Sequence, residues 1–393
     1  MDIRTIATVF FSILLAHRAF LVFYRLYLHP LATFPGPRLA AVSTLYRAYY
    51  QFWRDGKLLH KTIKLHKKYG PVIRISPNEV KSSIHNRTAI SYFDIYSTTF
   101  NGRKDPDFYN HLRVEADTIL LIDDDTGEHK ARFQPLASLF SSRQYGQHES
   151  NIAKNVERFS SLLSCSAHKH VPCRLAAGYR SLSLGVMNDF VFSDIPDNVK
   201  PMASVEFDDP LTIATGDVLN WTLWLTRNFP ALSSIIMRLP SSLVSMVTSS
   251  FEGANQMFQI ISQLVEHEKN HIGPKSKDCV MQRLLNAHRD SESKIAIPTP
   301  DATLRSEAVG FTLAGTADPP NILAFGTFMA ARDSEMQKGL YKELRAIWPD
   351  LRSPAPSYNL LHQLPLLVSG GIHPESPFLE LDSANPATNN RGG

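Results

Sequence analysis

The stretch Phe311–Asn321, FTLAGTADPPN, decides how this chain reads. It sits in an apolar segment with helical spacing, from about Thr303 to Arg332. Yet it carries a small pair, Ala314-Gly315, a hydroxyl at Thr316, a carboxylate at Asp318 and two consecutive prolines, Pro319-Pro320. A proline inside a helix removes a backbone donor and crowds the preceding turn, at a cost of about 3 kcal/mol or more. One reading is a core helix kinked by its prolines, with Asp318 capping the break. The other is a site where chemistry needs open space, polar side chains and backbone carbonyls released from the helix. The rest of the chain bears on the choice.

Composition bounds the possibilities. The chain has 393 residues, 43% hydrophobic and 20% charged, which is the make-up of a folded protein with room for one large or two ordinary domains. The net charge is +4 and no dense Lys/Arg block occurs, which argues against a nucleic-acid partner. The three cysteines, Cys165, Cys173 and Cys279, form neither a disulfide framework nor a CxxC zinc pattern, and fit a reducing compartment.

The N-terminus is apolar from Ile6 to Ala16, is interrupted by His17-Arg18, and resumes from Ala19 to Tyr24. A helix over Ile3 to Tyr24 is about 33 Å long, enough to cross a bilayer core. Arg18 then has to snorkel or face a partner. A single-pass anchor over residues 1–28 is preferred to a helix lying on the membrane surface, and no small-x-small site marks a cleaved signal peptide. Residues 29–40, with Pro30, Pro35, Gly36 and Pro37, read as a hinge. Asp55–Gly70 reads as an amphipathic helix stopped by Gly70, and Pro71–Ser83 as short strands. From Asp125 the spacing is mostly helical, with breaks at Pro230 and Pro240 and a polar loop at Gly273–Asp278. The apolar, aromatic run Val218–Phe229 reads as core, or as a substrate entry that dips into the membrane. Residues 368–393 lose all periodicity and read as a disordered tail.

In this order the pieces resemble the fungal membrane-bound cytochrome P450 family. The hinge Tyr27–Ala40 (YLHPLATFPGPRLA), Leu65–Val80 (LHKKYGPVIRISPNEV), Phe108–Ser141, Phe311–Asn321, Met336–Asp350 and Leu361–Leu367 (LHQLPLL) carry the likeness. It covers nearly the whole chain up to Leu367. The resemblance implies a mainly α P450-like fold with a small N-terminal β-sheet, incomplete at the C-terminus, preceded by a transmembrane helix. The family-like domain is then 41–367.

The resemblance also implies haem, a lipophilic small-molecule substrate, and electrons from NADPH through a cytochrome P450 reductase. It places the anchor in the endoplasmic reticulum with the main domain in the cytosol. Ala314 and Gly315 are expected to leave room against the haem iron, and Thr316 and Asp318 to hold water and deliver protons. The family's acid normally falls at the position of Ala317, so Asp318 is displaced by one residue, about 100° around the helix. His129 matches the residue that binds a haem propionate. Its arginine partner is expected four residues on, where Phe133 stands, and Arg132 is one residue short. Outside the resemblance, His129 reads as an ordinary surface residue.

One element of the family pattern is missing from this sequence. The family holds iron through a cysteine thiolate in a Phe- and Gly-rich loop, and none of the three cysteines has that setting. The Glu-x-x-Arg pair expected after LPLL is replaced by VSGGIHPESP. No metal ligand is therefore assigned, and this chain alone is expected to be inactive. The alternatives are a haem-free, membrane-tethered pseudoenzyme or a non-functional gene product. The likeness stops at Val368-Ser369, which GTG AGT can encode, a typical intron donor, so an unspliced intron is the expected origin of the tail.

Overall fold

The computed structural model describes residues 2–51, 53–54, 56–82, 104, 109, 115–119, 128–217, 229, 249–270, 278–289 and 301–369. The chain divides into two compact units, Met1–Arg103 with Arg227–Pro230, and Lys104–Thr226 with Ala231–Gly393. The fold is mainly helical, with one two-stranded sheet among the described residues. The expectations for residues 218–228, for the breaks at Pro230 and Pro240 and for the tail beyond Ser369 fall outside these residues.

In the first unit, α1 (Ile3–Phe23) buries none of its residues. A π-helical turn, Tyr24–Leu28, extends it and closes with His29 N–H donating to Tyr24 O at 2.8 Å. Ile3–Leu28 is long and apolar enough to cross a membrane. Short helices α2 (Arg38–Val42) and α3 (Leu45–Gln51) precede α4 (Leu58–Tyr69). Gly70 stops α4 at φ 102°, a conformation natural to glycine. Strands β1 (Val72–Ser76) and β2 (Glu79–Ser82) pair antiparallel, Val72 opposite Ser82 and Arg74 opposite Val80, with an irregularity between Arg74 and Ser76.

The Pro-rich hinge is fastened to β1. Arg74 N–H donates to Pro35 O at 2.8 Å. A Cβ on Gly36 would lie 2.3 Å from Arg74 O, so only glycine permits that approach. The buried Arg74 guanidinium donates to Arg25 O at 2.8 Å and to Pro77 O at 2.7 Å, tying the end of the apolar helix to the strand turn.

The second unit is built around α7 (Leu175–Val191), α8 (Pro210–Asp217), α9 (Ser249–Asn270), α10 (Val280–Arg289) and α11 (Asp301–Ala317). Before them come α5 (Glu128–Phe133) and α6 (Ser142–His168). Leu184, Leu211, Ile261, Val265, Met281 and Leu304 close the core, each at most 2% exposed. Along α11 the positions facing inward recur every four residues, Leu304, Ala308, Thr312 and Thr316. Thr303, Ser306, Glu307 and Val309 are buried as well, so α11 is covered on more than one side.

After α11 come α12 (Pro319–Arg332), α13 (Ser334–Ile347), α14 (Tyr358–Leu361) and α15 (Pro365–Ser369). The cover thins here. α13 buries no residue, and Ile322 of α12 is 70% exposed. Asp333 caps α13 by accepting from the N–H groups of Glu335 and Met336 at 2.9 and 3.0 Å. The Glu343 carboxylate accepts from Leu366 and Leu367 N–H, both at 2.9 Å, and so anchors the start of α15.

Candidate functional site at the break between α11 and α12

The helix does break where the sequence stretch is unusual. α11 ends at Ala317, Asp318 stands between the helices, and Pro319-Pro320 occupy the first two positions of α12. Prolines are tolerated there because the first N–H groups of a helix have no intrahelical acceptor. Their lost donors would otherwise have reached the carbonyls of Gly315 and Thr316, four residues back. The Ala317 carbonyl is taken up locally, by Asn321 Nδ2 at 2.9 Å.

Asp318 is exposed, and its backbone carbonyl accepts from Asn321 and Ile322 N–H, both at 3.1 Å. Its side chain makes no capping hydrogen bond. Ala314 is exposed as well, one turn earlier on the same side as Asp318. Thr316 faces the other way. It is 1% exposed, and its hydroxyl donates to Thr312 O at 2.7 Å within its own helix. Gly315 faces α7, where an added Cβ would meet Cγ and Sδ of Met187, both at 2.2 Å. The small pair therefore splits into an open Ala314 and a tightly packed Gly315.

His129 and Arg132 share α5. The His129 ring stacks on Phe133, with centroids 6.0 Å apart and planes 12° apart. Arg132 donates to Asp117 O at 2.9 Å and exerts an electrostatic pull on Glu307 of α11. Sequence reasoning had not singled out Glu307. It is 3% exposed and accepts from Ile119 N–H at 2.6 Å. Burial raises its carboxyl to about 7, against the lowering effects of that hydrogen bond and of Arg132. Its sequence signal is a carboxylate two residues after Arg305 in LRSEAVG, seven residues before Ala314 and so on almost the same face.

The donor set was weighed against a haem iron. Cys279 is fully buried and lies 3.8 Å from Glu268 Oε1. Cys173 is held as a thiol, its pKa pushed up by burial. Cys165 lies on α6. No cluster of three His, Cys, Asp or Glu that could hold a metal occurs among the described residues. At the break Ala314 leaves one side of the helix exposed.

The class of fold these elements define is mainly helical, with a small antiparallel sheet and a long helix interrupted at Pro319-Pro320. The chain belongs to the cytochrome P450 family, whose model matches residues 42–369. It is 88% identical to the cytochrome P450 monooxygenase ppzG of Metarhizium rileyi over 201 residues, which cover 46% of this chain and 80% of that protein. Against ppzG of Metarhizium majus it is 81% identical over 201 residues, 46% of this chain and 65% of that protein. The similarity to the monooxygenase ucsK of an Acremonium species runs longer and weaker, 27% over 367 residues, 88% of this chain and 66% of that protein. The chain thus spans just under two-thirds of the length of the latter two relatives. Family membership implies haem as cofactor, a redox partner and lipophilic substrates.

Proposed function

We propose that this protein is the anchored, oxygen-side portion of a P450 monooxygenase acting on a lipophilic fungal secondary metabolite. The reaction places one atom of O2 in a substrate C–H bond and releases the other as water, using two electrons and two protons. The electrons come from NADPH through a reductase. The observation that carries the reading is the break after Ala317 beside the open Ala314, a geometry that a merely structural helix does not need.

In this reading Ala314 would leave room for the haem. The carbonyls of Gly315 and Thr316, deprived of their helical donors, bind water, and the exposed Asp318 passes protons in from solvent. Thr316 contributes through its backbone, since its hydroxyl is engaged within α11. His129 and Arg132 would hold the propionates. Haem supplies the oxygen chemistry when bound.

The anchor reading gains support from charge. Residues 1–82 hold 13 Lys and Arg against three Asp and Glu, a net of +10 in a chain of +4, which leaves −6 for the remainder. Most of that excess follows the apolar helix, and such an excess marks the cytosolic side. We therefore place the main domain in the cytosol at the endoplasmic reticulum, with 29–40 as hinge and 41–367 as the family domain.

None of the three cysteines lies in the Phe- and Gly-rich setting through which the family holds iron, so this chain by itself is proposed not to turn over. The same placement favours the second reading, a haem-free membrane-tethered protein that binds a lipophilic ligand or a partner. Sequencing the transcript and its locus separates the two. A spliced frame that continues past Leu367 into a Glu-x-x-Arg helix and a Cys loop is expected. A locus with no such frame, and no intron boundary at Val368-Ser369, refutes the monooxygenase assignment for this gene.

A further inference from the structure

Three consecutive residues of α11 grip one short segment, residues 115–119. Arg305 Nε donates to Glu115 Oε2 at 2.8 Å. The buried Ser306 hydroxyl accepts from Ala116 N–H at 3.0 Å and from Glu115 N–H at 3.4 Å. Glu307 accepts from Ile119 N–H at 2.6 Å. From the other side Arg132 holds Asp117 O at 2.9 Å. Thr118 rests on Gly310, its Cγ2 3.6 Å from where a Cβ would stand. Glu307 lies seven residues before Ala314, about 10.5 Å along the axis and about 20° around it. The gripped segment thus covers α11 on the side where, two turns later, Ala314 lies open.

We propose that Glu307 is the positioning residue of a proton-linked clamp: protonated, it favours residues 115–119 docked on α11, and ionised, it favours their release into water. The docked carboxyl is 3% exposed, and among the described residues Arg132 is the cation that acts on it. Of the other described charges on neighbouring elements, Glu268 of α9 accepts from Ser193 N–H and Gln282 Nε2. Arg305 pairs with Glu115, Lys269 of α9 with Asp301 and Glu266, and Arg283 of α10 with Asp278, while Asp189 of α7 takes Asn155.

The sign follows from the two states. Docked, Glu307 holds its proton up to about pH 7. Released and hydrated, it returns to an ordinary glutamic acid value of about 4.3. The docked state binds the proton more tightly, so docking is strongest below the released value and weakens as pH rises through the docked one. Between about pH 5.5 and 8 the docking constant falls roughly tenfold or more. The clamp rests on these contacts alone. Only its consequence, admission of substrate toward Ala314 when the segment lifts, rests on the monooxygenase reading.

Hydrogen exchange of the full chain in detergent tests the clamp without haem or turnover. Protection factors of the amides of residues 116–119, corrected for the intrinsic pH dependence of exchange, should fall roughly tenfold or more from about pH 5.5 to 8, while amides of α9 hold theirs. Glu307→Gln keeps an oxygen for Ile119 N–H but does not titrate. It should retain protection and lose the pH dependence. Glu307→Ala should lose protection at both pH values. Protection in the native chain that does not change with pH, or the same slope in Glu307→Gln, overturns the proposal. Should Glu307→Ala fail to fold, the native chain and Glu307→Gln still decide it.

Discussion

Replacing Gly315 by alanine puts a Cβ 2.2 Å from both Cγ and Sδ of Met187, well inside van der Waals contact, so something must move. Two effects of opposite sign compete. Alanine gains about 1 kcal/mol over glycine in a helix interior. Overpacking costs about 1–3 kcal/mol, and the pliable methionine keeps that cost toward its lower end. The net expectation for Gly315→Ala is a loss of about 0–2 kcal/mol. The contact itself is isolated by repeating the substitution in Met187→Ala. With the thioether gone the clash is gone, the helix gain remains, and Gly315→Ala now stabilises by about 1 kcal/mol. The coupling energy of the cycle is then about 1–3 kcal/mol. Urea unfolding of the full chain in detergent, followed by far-ultraviolet circular dichroism, reads all four corners. Additivity within about 0.5 kcal/mol would show that Gly315 is not there for packing against α7, and would return it to the role of making room for haem.

Two further outcomes are expected. Deleting residues 1–28 should move the protein from the membrane pellet to the high-speed supernatant, and a full chain already found in the supernatant contradicts the anchor. Glu268 is fully buried and serves the part-buried Ser193 N–H at 3.0 Å and the buried Gln282 Nε2 at 2.5 Å, so Glu268→Ala strands both donors and should cost about 2–4 kcal/mol in the same unfolding assay. A loss under about 1 kcal/mol there would mean that water replaces the carboxylate.

Local chemistry made much of the fold legible. Gly70 at the end of a Lys-rich amphipathic run and the Pro77-Asn78 turn between apolar strands announce α4, β1 and β2 from nearest neighbours alone. Pro319-Pro320 announce the break in the same way, because a missing donor needs no tertiary context. What depended on distant partners stayed hidden. Gly315 reads as room for a ligand until Met187, far upstream in the chain, is seen to fill that side. Thr316 reads as a free hydroxyl until helical rotation turns it inward to Thr312 O. Glu307 and Ser306 went unnoticed because their partners, the amides of residues 115–119, are distant backbone groups that no side-chain pattern encodes. The haem-side residues divide likewise. His129 and Arg132 were placed on one helix by the family resemblance, but the hold of Arg132 on Asp117 O was not foreseeable.

The reduced, CO-bound absorption spectrum of the expressed full chain tests the central claim most directly. With Cys279 buried against Glu268 and Cys173 held as a thiol, this chain alone should give no thiolate-type difference peak after haem addition. A form extended through the family's Cys loop should give one. A thiolate-type peak from this chain by itself would contradict the account, by showing that one of its three cysteines reaches the iron.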